Sequence, residues 1–256
     1  MLYGEISHKC DHGDQQFGFR EGLGVQNAHA AFLAIFERYK HSKKNLYVFA
    51  IDMSKAFDKI LHSQGIFPLL RSGVDPFICV CLWTWYRKAS ILVRVEGNVS
   101  TRINVRREIK QDSVLSPVIF NNAIRSACRH LPPYLIEPYV DASHLSYADD
   151  ILLVSDDLQG LQKAVDSVCA ALNGIGLQVV TSKTEHIVFG SGSQQFPNAA
   201  IQVGPTTVFA ASSLKYLGLP FGSSIKAIRT LIINSLKEKL RKSYGLRVRV
   251  KGQFDK

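Results

Sequence analysis

Two adjacent acids between apolar segments are the residues of this sequence with the clearest chemical potential. Asp149 and Asp150 separate Leu145–Tyr147 from Ile151–Val154, and both flanking runs have the composition of β-strands. Most Asp-Asp pairs at such a place only form a hairpin turn. A third acid, Asp52, ends the apolar run Leu46–Ile51, and a simple alternative for it is the N-cap of a helix beginning near Ser54.

If the two strand ends lie side by side in one sheet, Asp52 and Asp149 converge. Carboxylates held within a few Å of each other repel and raise each other's pKa. A hard divalent cation relieves that conflict, and Mg²⁺ takes one or two carboxylates, waters and substrate phosphates. Two such ions activate an attacking hydroxyl and stabilise a leaving group, so the convergence would indicate nucleotidyl transfer.

The hydrophobic pattern predicts both helices and strands along most of the chain. The predicted helices are Val25–Tyr39, Ser54–Arg71, Pro76–Tyr86, Ser116–His130 and Leu158–Ile175, the last closed by Gly176. The predicted strands are Leu46–Ile51, Ile91–Glu96 and Arg102–Val105 around Gly97-Asn98, Leu145–Tyr147, Ile151–Val154, Leu177–Val180, His186–Phe189, Ile201–Val203, Thr207–Phe209 and Leu214–Leu217. Because helices and strands do not alternate strictly, we expect an α+β fold with an antiparallel sheet packed on helices.

Composition excludes several classes of protein. Apolar residues make up 46% of the 256, which is enough for a core. The sequence contains no run of 18 apolar residues, so it predicts no membrane span. The N-terminus lacks the apolar region of a signal peptide. Five cysteines without a CxxC pair argue against zinc and against a disulfide framework. We therefore expect an intracellular protein without a membrane partner, and the pattern does not distinguish nucleus from cytoplasm.

Positive charge is concentrated at the C-terminal end. Residues 225–256 contain ten Lys and Arg residues against two acids, a net charge of +8 out of +10 for the whole chain. A segment of this kind can follow a phosphate backbone, and it can equally be a solvated helix face.

Five motifs occur in an order that resembles the reverse transcriptase domain of non-LTR (LINE-type) retrotransposons. Gln16-Phe-Gly-Phe-Arg20 upstream is similar to the start of that domain's core, and the resemblance covers roughly residues 15 to 225. The five motifs are Asp52-Met-Ser-Lys-Ala-Phe-Asp58, Gln111-Asp-Ser-Val-Leu-Ser-Pro117, Tyr147-Ala-Asp-Asp150, Gly176-Leu with Lys183-Thr-Glu185, and Lys215-Tyr-Leu-Gly218.

The resemblance implies a right-hand polymerase palm with partial fingers and the start of a thumb. Residues 1–224 would form fingers and palm, and 225–256 the basic start of the thumb. The implied reaction is RNA-directed DNA synthesis, in which a primer 3′-hydroxyl is extended along an RNA template with dNTPs and two Mg²⁺ ions, or Mn²⁺ in their place. The implied metal ligands are Asp52, the backbone carbonyl of Met53, Asp149 and Asp150.

The resemblance also assigns substrate contacts. Lys183 would protonate the pyrophosphate leaving group, and its simple alternative is a solvated loop lysine. The ring of Phe57 would exclude a ribose 2′-hydroxyl, and Phe57 can also be a buried helix residue. The remaining contacts would be Gln111, Tyr147 and Ala148 for the nucleotide and template, and Lys215, Tyr216, Leu217 and Gly218 for the primer. The oligomeric state stays open.

Some positions depart from the family pattern. Glu108 and Asp112 stand where the family has glycine, which allows close approach of the backbone to nucleic acid. Val180 stands where the family often has Asn, and the match starts late enough that we expect truncated fingers. These departures favour a degraded or partial copy, so the alternative function is a catalytically inactive nucleic-acid-binding remnant of the same domain.

Overall fold

A computed structural model describes residues 2–10, 13, 15–42, 44–109, 113–131, 135–137, 140–141, 143–190 and 198–222. The helices in these ranges are α1 (Leu2–Lys9), α2 (Val25–Ser42), α3 (Ala56–Lys59), α4 (His62–Arg71), α5 (Pro76–Arg87), α6 (Ser116–Cys128) and α7 (Leu158–Gly174). The strands are β1 (Leu46–Ile51), β2 (Ser90–Ile91), β3 (Arg94–Val95), β4 (Asn98–Val99), β5 (Ile103–Asn104), β6 (Leu135–Glu137), β7 (Val140–Asp141), β8 (His144–Tyr147), β9 (Asp150–Ser155), β10 (Glu185–Phe189), β11 (Ala200–Val203), β12 (Thr206–Ala211), β13 (Ser213–Tyr216) and β14 (Leu219–Gly222).

The central sheet has six strands in the order β11-β12-β10-β1-β9-β8. Strand β1 lies in the middle and pairs antiparallel with both β9 and β10. The β10–β12 pair is parallel, and the other pairs of this sheet are antiparallel. The prediction of an α+β fold with an antiparallel sheet is therefore confirmed, with one parallel pair added.

Both faces of the sheet are covered, which explains why β1 is apolar at every position. Phe49 and Ile51 belong to the large core formed with α4 to α7, whereas Leu46 and Val48 belong to a second core beneath α2. A strand buried on both faces reads as a continuous apolar run instead of an alternating one. The second core also includes Phe221 of the β13–β14 hairpin.

The predicted helix Ser54–Arg71 is wrong as a single element, because the structure divides it into α3 and α4. Ile60 is extended between them, with φ −61° and ψ 135°. Its carbonyl accepts from Glu108 N at 3.1 Å, and Leu61 N donates to Ile175 O at 3.2 Å. These partners are remote in sequence, so tertiary pairing interrupts a segment whose local pattern is helical.

Two other local predictions are corrected. Leu177–Val180 does not form a strand, and only Val179 makes an isolated bridge, to Met53. The first hairpin turns at Glu96-Gly97, both with positive φ, instead of at Gly97-Asn98. Two consecutive positive φ values are typical of the tight turns that match the twist of a hairpin.

None of the helices in the described part of the chain is long and apolar enough to cross a membrane.

Candidate active site

The register of the central sheet brings the acids together. Ile51 of β1 lies opposite Ile151 of β9, so the next position along each strand places Asp52 opposite Asp150. Asp149 precedes Asp150 in the turn that joins β8 to β9. The predicted convergence of the two motifs at one end of the sheet is therefore present in the fold.

A two-residue turn, Ala148-Asp149, carries the central acid. Tyr147 pairs with Asp150, so Asp150 is the first residue of β9, whereas the flanking apolar runs predict that it lies in the turn. Ala148 has φ 56°, in the left-handed region that residues other than glycine seldom occupy. Such a conformation persists where the surroundings over-determine it.

Buried polar contacts from outside the motif support this turn. Gln16 is 3% exposed, and its Oε1 accepts from Ala148 N at 3.0 Å and from Gly18 N at 2.8 Å. The fully buried Asn121 of α6 donates from Nδ2 to Gly18 O at 2.8 Å. A Cβ on Gly18 would lie 2.4 Å from Ala148 N, so only glycine fits against the turn. The segment containing Gln16 thereby fixes the position of Asp149.

The surroundings of Gln16 extend the sheet locally. Phe17 N donates to Ser146 O and Ser146 N donates to Gln15 O, each at 2.8 Å. These bonds make a short parallel bridge between Gln16 and β8. The sequence predicts no role for Asn121, and the signal for Gln16 is its place in the upstream Gln-Phe-Gly-Phe-Arg motif.

Burial and mutual repulsion disfavour the charged forms of the paired acids. The pKa of Asp150 is raised to about 6, first by burial and then by the negative charges of Asp149 and Asp52. The pKa of Asp149 is also raised, chiefly by burial and in smaller part by Asp52, although a backbone hydrogen bond opposes the shift. The site is therefore an anionic cluster that a cation would stabilise.

Asp52 is held where the loop after α7 approaches the end of β1. Its carbonyl accepts from Val180 N at 2.9 Å, and its backbone N lies 3.5 Å from Thr184 Oγ1. Its Oδ1 is buried and has no hydrogen-bond partner among the described residues, and Lys183 Nζ lies 4.0 Å away. The Lys183 side chain is 67% exposed, which fits its simple alternative of a solvated lysine, yet it lies beside the carboxylate.

The charges of the three acids act on one another, but the described residues do not form a preassembled metal site. In the described ranges, no three His, Cys, Asp or Glu side chains are gathered into a ready metal-binding group. Mg²⁺ commonly takes only one or two protein carboxylates and completes its shell with water and phosphate oxygens. An unpartnered buried oxygen on Asp52 and two acids with raised pKa values suit such an open site, and all these donors are the hard oxygens that Mg²⁺ prefers.

Phe57 lies within the first acid motif, five residues after Asp52, and is half-buried. Its ring stacks on Phe120 of α6, with centroids 4.2 Å apart and an interplanar angle of 17°. The ring of the exposed Phe19 is nearly perpendicular to that of Phe57, with centroids 6.1 Å apart. The contact with Phe120 agrees with the alternative that Phe57 is a packed helix residue. The contact with Phe19 shows that Phe57 also borders an exposed residue. Tyr147 is half-buried at the end of β8.

The hairpin β13–β14 adjoins the acids through Tyr216. Burial, together with the negative charge of Asp150, raises the pKa of the Tyr216 hydroxyl. Leu217 and Gly218 form the tight turn, both with positive φ, and Lys215 is exposed with its backbone N donating to Glu185 Oε2 at 2.7 Å. Of the residues expected at the primer, Lys215 and Tyr216 thus lie at the end of β13, and Leu217 and Gly218 lie in its turn. The interaction of Tyr216 with Asp150 has no signal in the sequence.

The middle motif lies partly outside the described residues. Gln111 and Asp112 are not described, and neither is the basic segment 225–256. Glu108 is described and has φ 91°, a conformation suited to the glycine that the family has there.

Comparisons with known proteins agree on one family. A family model described as "Reverse transcriptase (RNA-dependent DNA polymerase)" matches residues 5–221. The Pol polyprotein of the type-1 retrotransposable element R2 from Nasonia vitripennis is 25% identical over 220 residues, which are 82% of this chain and 21% of that protein. A probable RNA-directed DNA polymerase from transposon BS of Drosophila melanogaster is 27% identical over 227 residues, 84% of this chain and 25% of that protein.

The fold also matches a solved structure. An apo telomerase from Candida tropicalis, truncated from its C-terminal domain, superposes with a TM-score of 0.62 at 15% identity. The match covers 87% of this chain and 42% of the telomerase chain. The chain thus spans about a quarter or less of the two transposon proteins and under half of the telomerase.

Proposed function

Because the chain belongs to the reverse transcriptase family, in the branch of the non-LTR retrotransposons, we propose that it extends a DNA primer along an RNA template. The observation that carries this proposal is the position of Asp52 opposite Asp150 and beside Asp149. The supporting fold is the α+β polymerase palm.

Reverse transcriptases as a family use divalent metal ions, and the acids of this chain suit them. Asp52, Asp149, Asp150 and the backbone carbonyl of Met53 would hold two Mg²⁺ ions, or Mn²⁺ in their place. The chemistry that such ions supply when bound is activation of an attacking hydroxyl and neutralisation of phosphate charge. The chain itself contributes a rigid turn, held by Gln16, that fixes Asp149 relative to Asp52.

Lys183 suits the role of proton donor to the leaving pyrophosphate. Its ammonium group lies 4.0 Å from Asp52 Oδ1, close to where the triphosphate would be held. Because the side chain is largely exposed, it can regain a proton from solvent after each transfer.

Phe57 suits the selection of deoxynucleotides. Its stacking on Phe120 restricts the ring, and a restricted ring excludes an additional 2′-hydroxyl better than a mobile one. Tyr147 and Ala148 would contact the nucleotide beside Asp149, and Gln111 would contact the nascent pair.

The β13–β14 turn suits contact with the primer. Lys215, Tyr216, Leu217 and Gly218 form this hairpin, and Tyr216 connects it electrostatically to Asp150. We propose that 1–224 form fingers and palm, with 225–256 as the beginning of a basic thumb along the template–primer duplex.

One observation favours a second function, an inactive domain that still binds nucleic acid. Glu108 holds a backbone conformation suited to glycine, in the segment that leads to the middle motif. Its carboxylate adds bulk and negative charge where glycine would allow the backbone to approach nucleic acid closely, so it would oppose the close fit that synthesis requires.

Primer extension distinguishes the two functions. The full chain is incubated with poly(rA)/oligo(dT), dTTP and Mg²⁺, and Asp149→Asn is compared with Asp166→Asn, which removes an exposed acid of α7. A polymerase predicts extension that Asp149→Asn lowers by about 1000-fold, since a lost metal ligand removes several kcal/mol of transition-state stabilisation. Asp166→Asn should extend like the parent.

Binding gives the other half of the test. If the parent chain binds the duplex with a steep dependence on salt but does not extend it, the inactive remnant is the correct function. Equal extension by the parent and Asp149→Asn would contradict the role of this acid.

A further inference from the structure

A cavity lined largely by polar side chains lies near the ends of three helices. It has a volume of about 350 Å³ and is formed by the ends of α1 and α4, the middle and end of α6, and the residues that directly follow α4 and α6. None of the described residues that line it is acidic. Its lining residues are Lys9, Pro68, Arg71, Ser72, Asn122, Arg125, Ser126 and Arg129. Because none of these residues belongs to the acid cluster, this basic pocket is a separate site.

A buried donor lines the basic pocket. Asn122 is 3% exposed, and its Oδ1 accepts from Ser72 Oγ at 3.0 Å. That bond leaves the amide nitrogen for another acceptor, and Nδ2 has no hydrogen-bond partner among the described residues. A buried donor without an acceptor costs free energy, so a bound ligand that accepts a hydrogen bond would stabilise this pocket.

Helix-end electrostatics alone does not account for these features. Lys9, Arg71 and Arg125 lie in the last turns of their helices and Arg129 caps α6, positions where cations stabilise the helix dipole. Stabilising the helix dipoles would not require these cations to line one cavity, and it would not explain why the Asn122 amide nitrogen lacks a partner in the described part of the chain. Arg87 in the last turn of α5 shows the ordinary case, since it is exposed and does not line the pocket.

We propose that the basic pocket binds a phosphate group. Arginine pairs with phosphate through two parallel hydrogen bonds, which suits Arg71 and Arg129. Asn122, the buried residue at the floor of the pocket, has an amide nitrogen that lacks an acceptor among the residues the structure describes. The volume lies at the lower end of the range for small-ligand sites, so it admits a phosphate with the group that carries it. The phosphate can come from a polynucleotide backbone or from a small phosphate compound.

The experiment measures two probes in EDTA, so that metal-dependent binding at the acid cluster does not contribute. Inorganic pyrophosphate is titrated by calorimetry, and a single-stranded oligouridylate 12-mer is titrated by fluorescence anisotropy. The variants are Arg71→Ala, Asn122→Asp and the matched helix-end control Arg87→Ala. Thermal melting verifies that each variant is folded, and the exposed Arg71 provides the test if Asn122→Asp unfolds.

We expect Arg71→Ala to weaken binding about tenfold, because it removes a charge-assisted pair, and Asn122→Asp to weaken it further by placing an anion in the floor. Arg87→Ala should leave pyrophosphate binding unchanged. A loss for the 12-mer alone identifies a polynucleotide backbone, and a loss for pyrophosphate alone identifies a small phosphate. If Arg71→Ala binds both probes like the parent, the proposal is overturned and the cations serve only the helix ends.

Discussion

Replacing Glu108 by glycine should stabilise this protein, although most substitutions at half-buried positions destabilise. Glu108 has φ 91°, and its neighbours hold it there. Its N donates to Ile60 O at 3.1 Å, its carbonyl lies 2.9 Å from His62 Nε2, and Ile109 N donates to Phe57 O at 2.9 Å. The backbone therefore cannot relax to negative φ without losing these bonds.

The expected gain follows from two opposing effects. A side chain held at a sparsely populated φ costs about 1–3 kcal/mol, which glycine does not incur. Glycine increases the freedom of the unfolded chain, which lowers stability by about 0.4–1 kcal/mol. The net gain should be about 0–2.6 kcal/mol, which reaches a few degrees in melting temperature for a chain of this size.

Urea denaturation of Glu108→Gly and Glu21→Gly measures this difference. Glu21 is exposed and has no positive φ, so its replacement by glycine should only destabilise. A Glu108→Gly variant that loses as much stability as Glu21→Gly would refute the argument that strain is stored at this position.

Three further predictions address the turn, its charge and the nucleotide. Gln16→Ala should lower the free energy of unfolding by about 2–6 kcal/mol more than Gln159→Ala on the surface, since two buried N–H groups lose their acceptor; equal urea midpoints would contradict this. In EDTA, stability should fall as pH rises from about 4 to 6, because the pKa of Asp150 is raised from 3.8 to about 6 and its ionisation opposes folding. Asp150→Asn should therefore melt above the parent at pH 7.5 and with it near pH 4, and no gain at pH 7.5 would count against the charge cluster. Phe57→Ala should reduce the preference for dTTP over UTP by about tenfold or more in primer extension, and an unchanged preference would exclude a selective role for this ring.

Much of the local structure and the approximate position of the site could be predicted from the sequence. The uninterrupted apolar run Leu46–Ile51 predicted β1 with its bounds, and helical periodicity predicted α7 to within one residue. Each pattern arises because residues close together in the sequence are buried on the same element, so a short stretch of sequence is enough to predict it. The apolar runs around Asp149 and Asp150 likewise predicted the β8–β9 hairpin.

Tertiary contacts decided the remaining features. The break between α3 and α4 depends on pairing of Ile60 with Glu108, and a helical pattern contains no information about so distant a partner. The support of Ala148 by Gln16 joins residues 132 positions apart, and the basic pocket exists only because three helix ends meet. The sequence determined which acids were available, whereas strand order determined that Asp52 lies beside Asp150, because hydrogen-bonded register in a sheet is a property of the assembled strands.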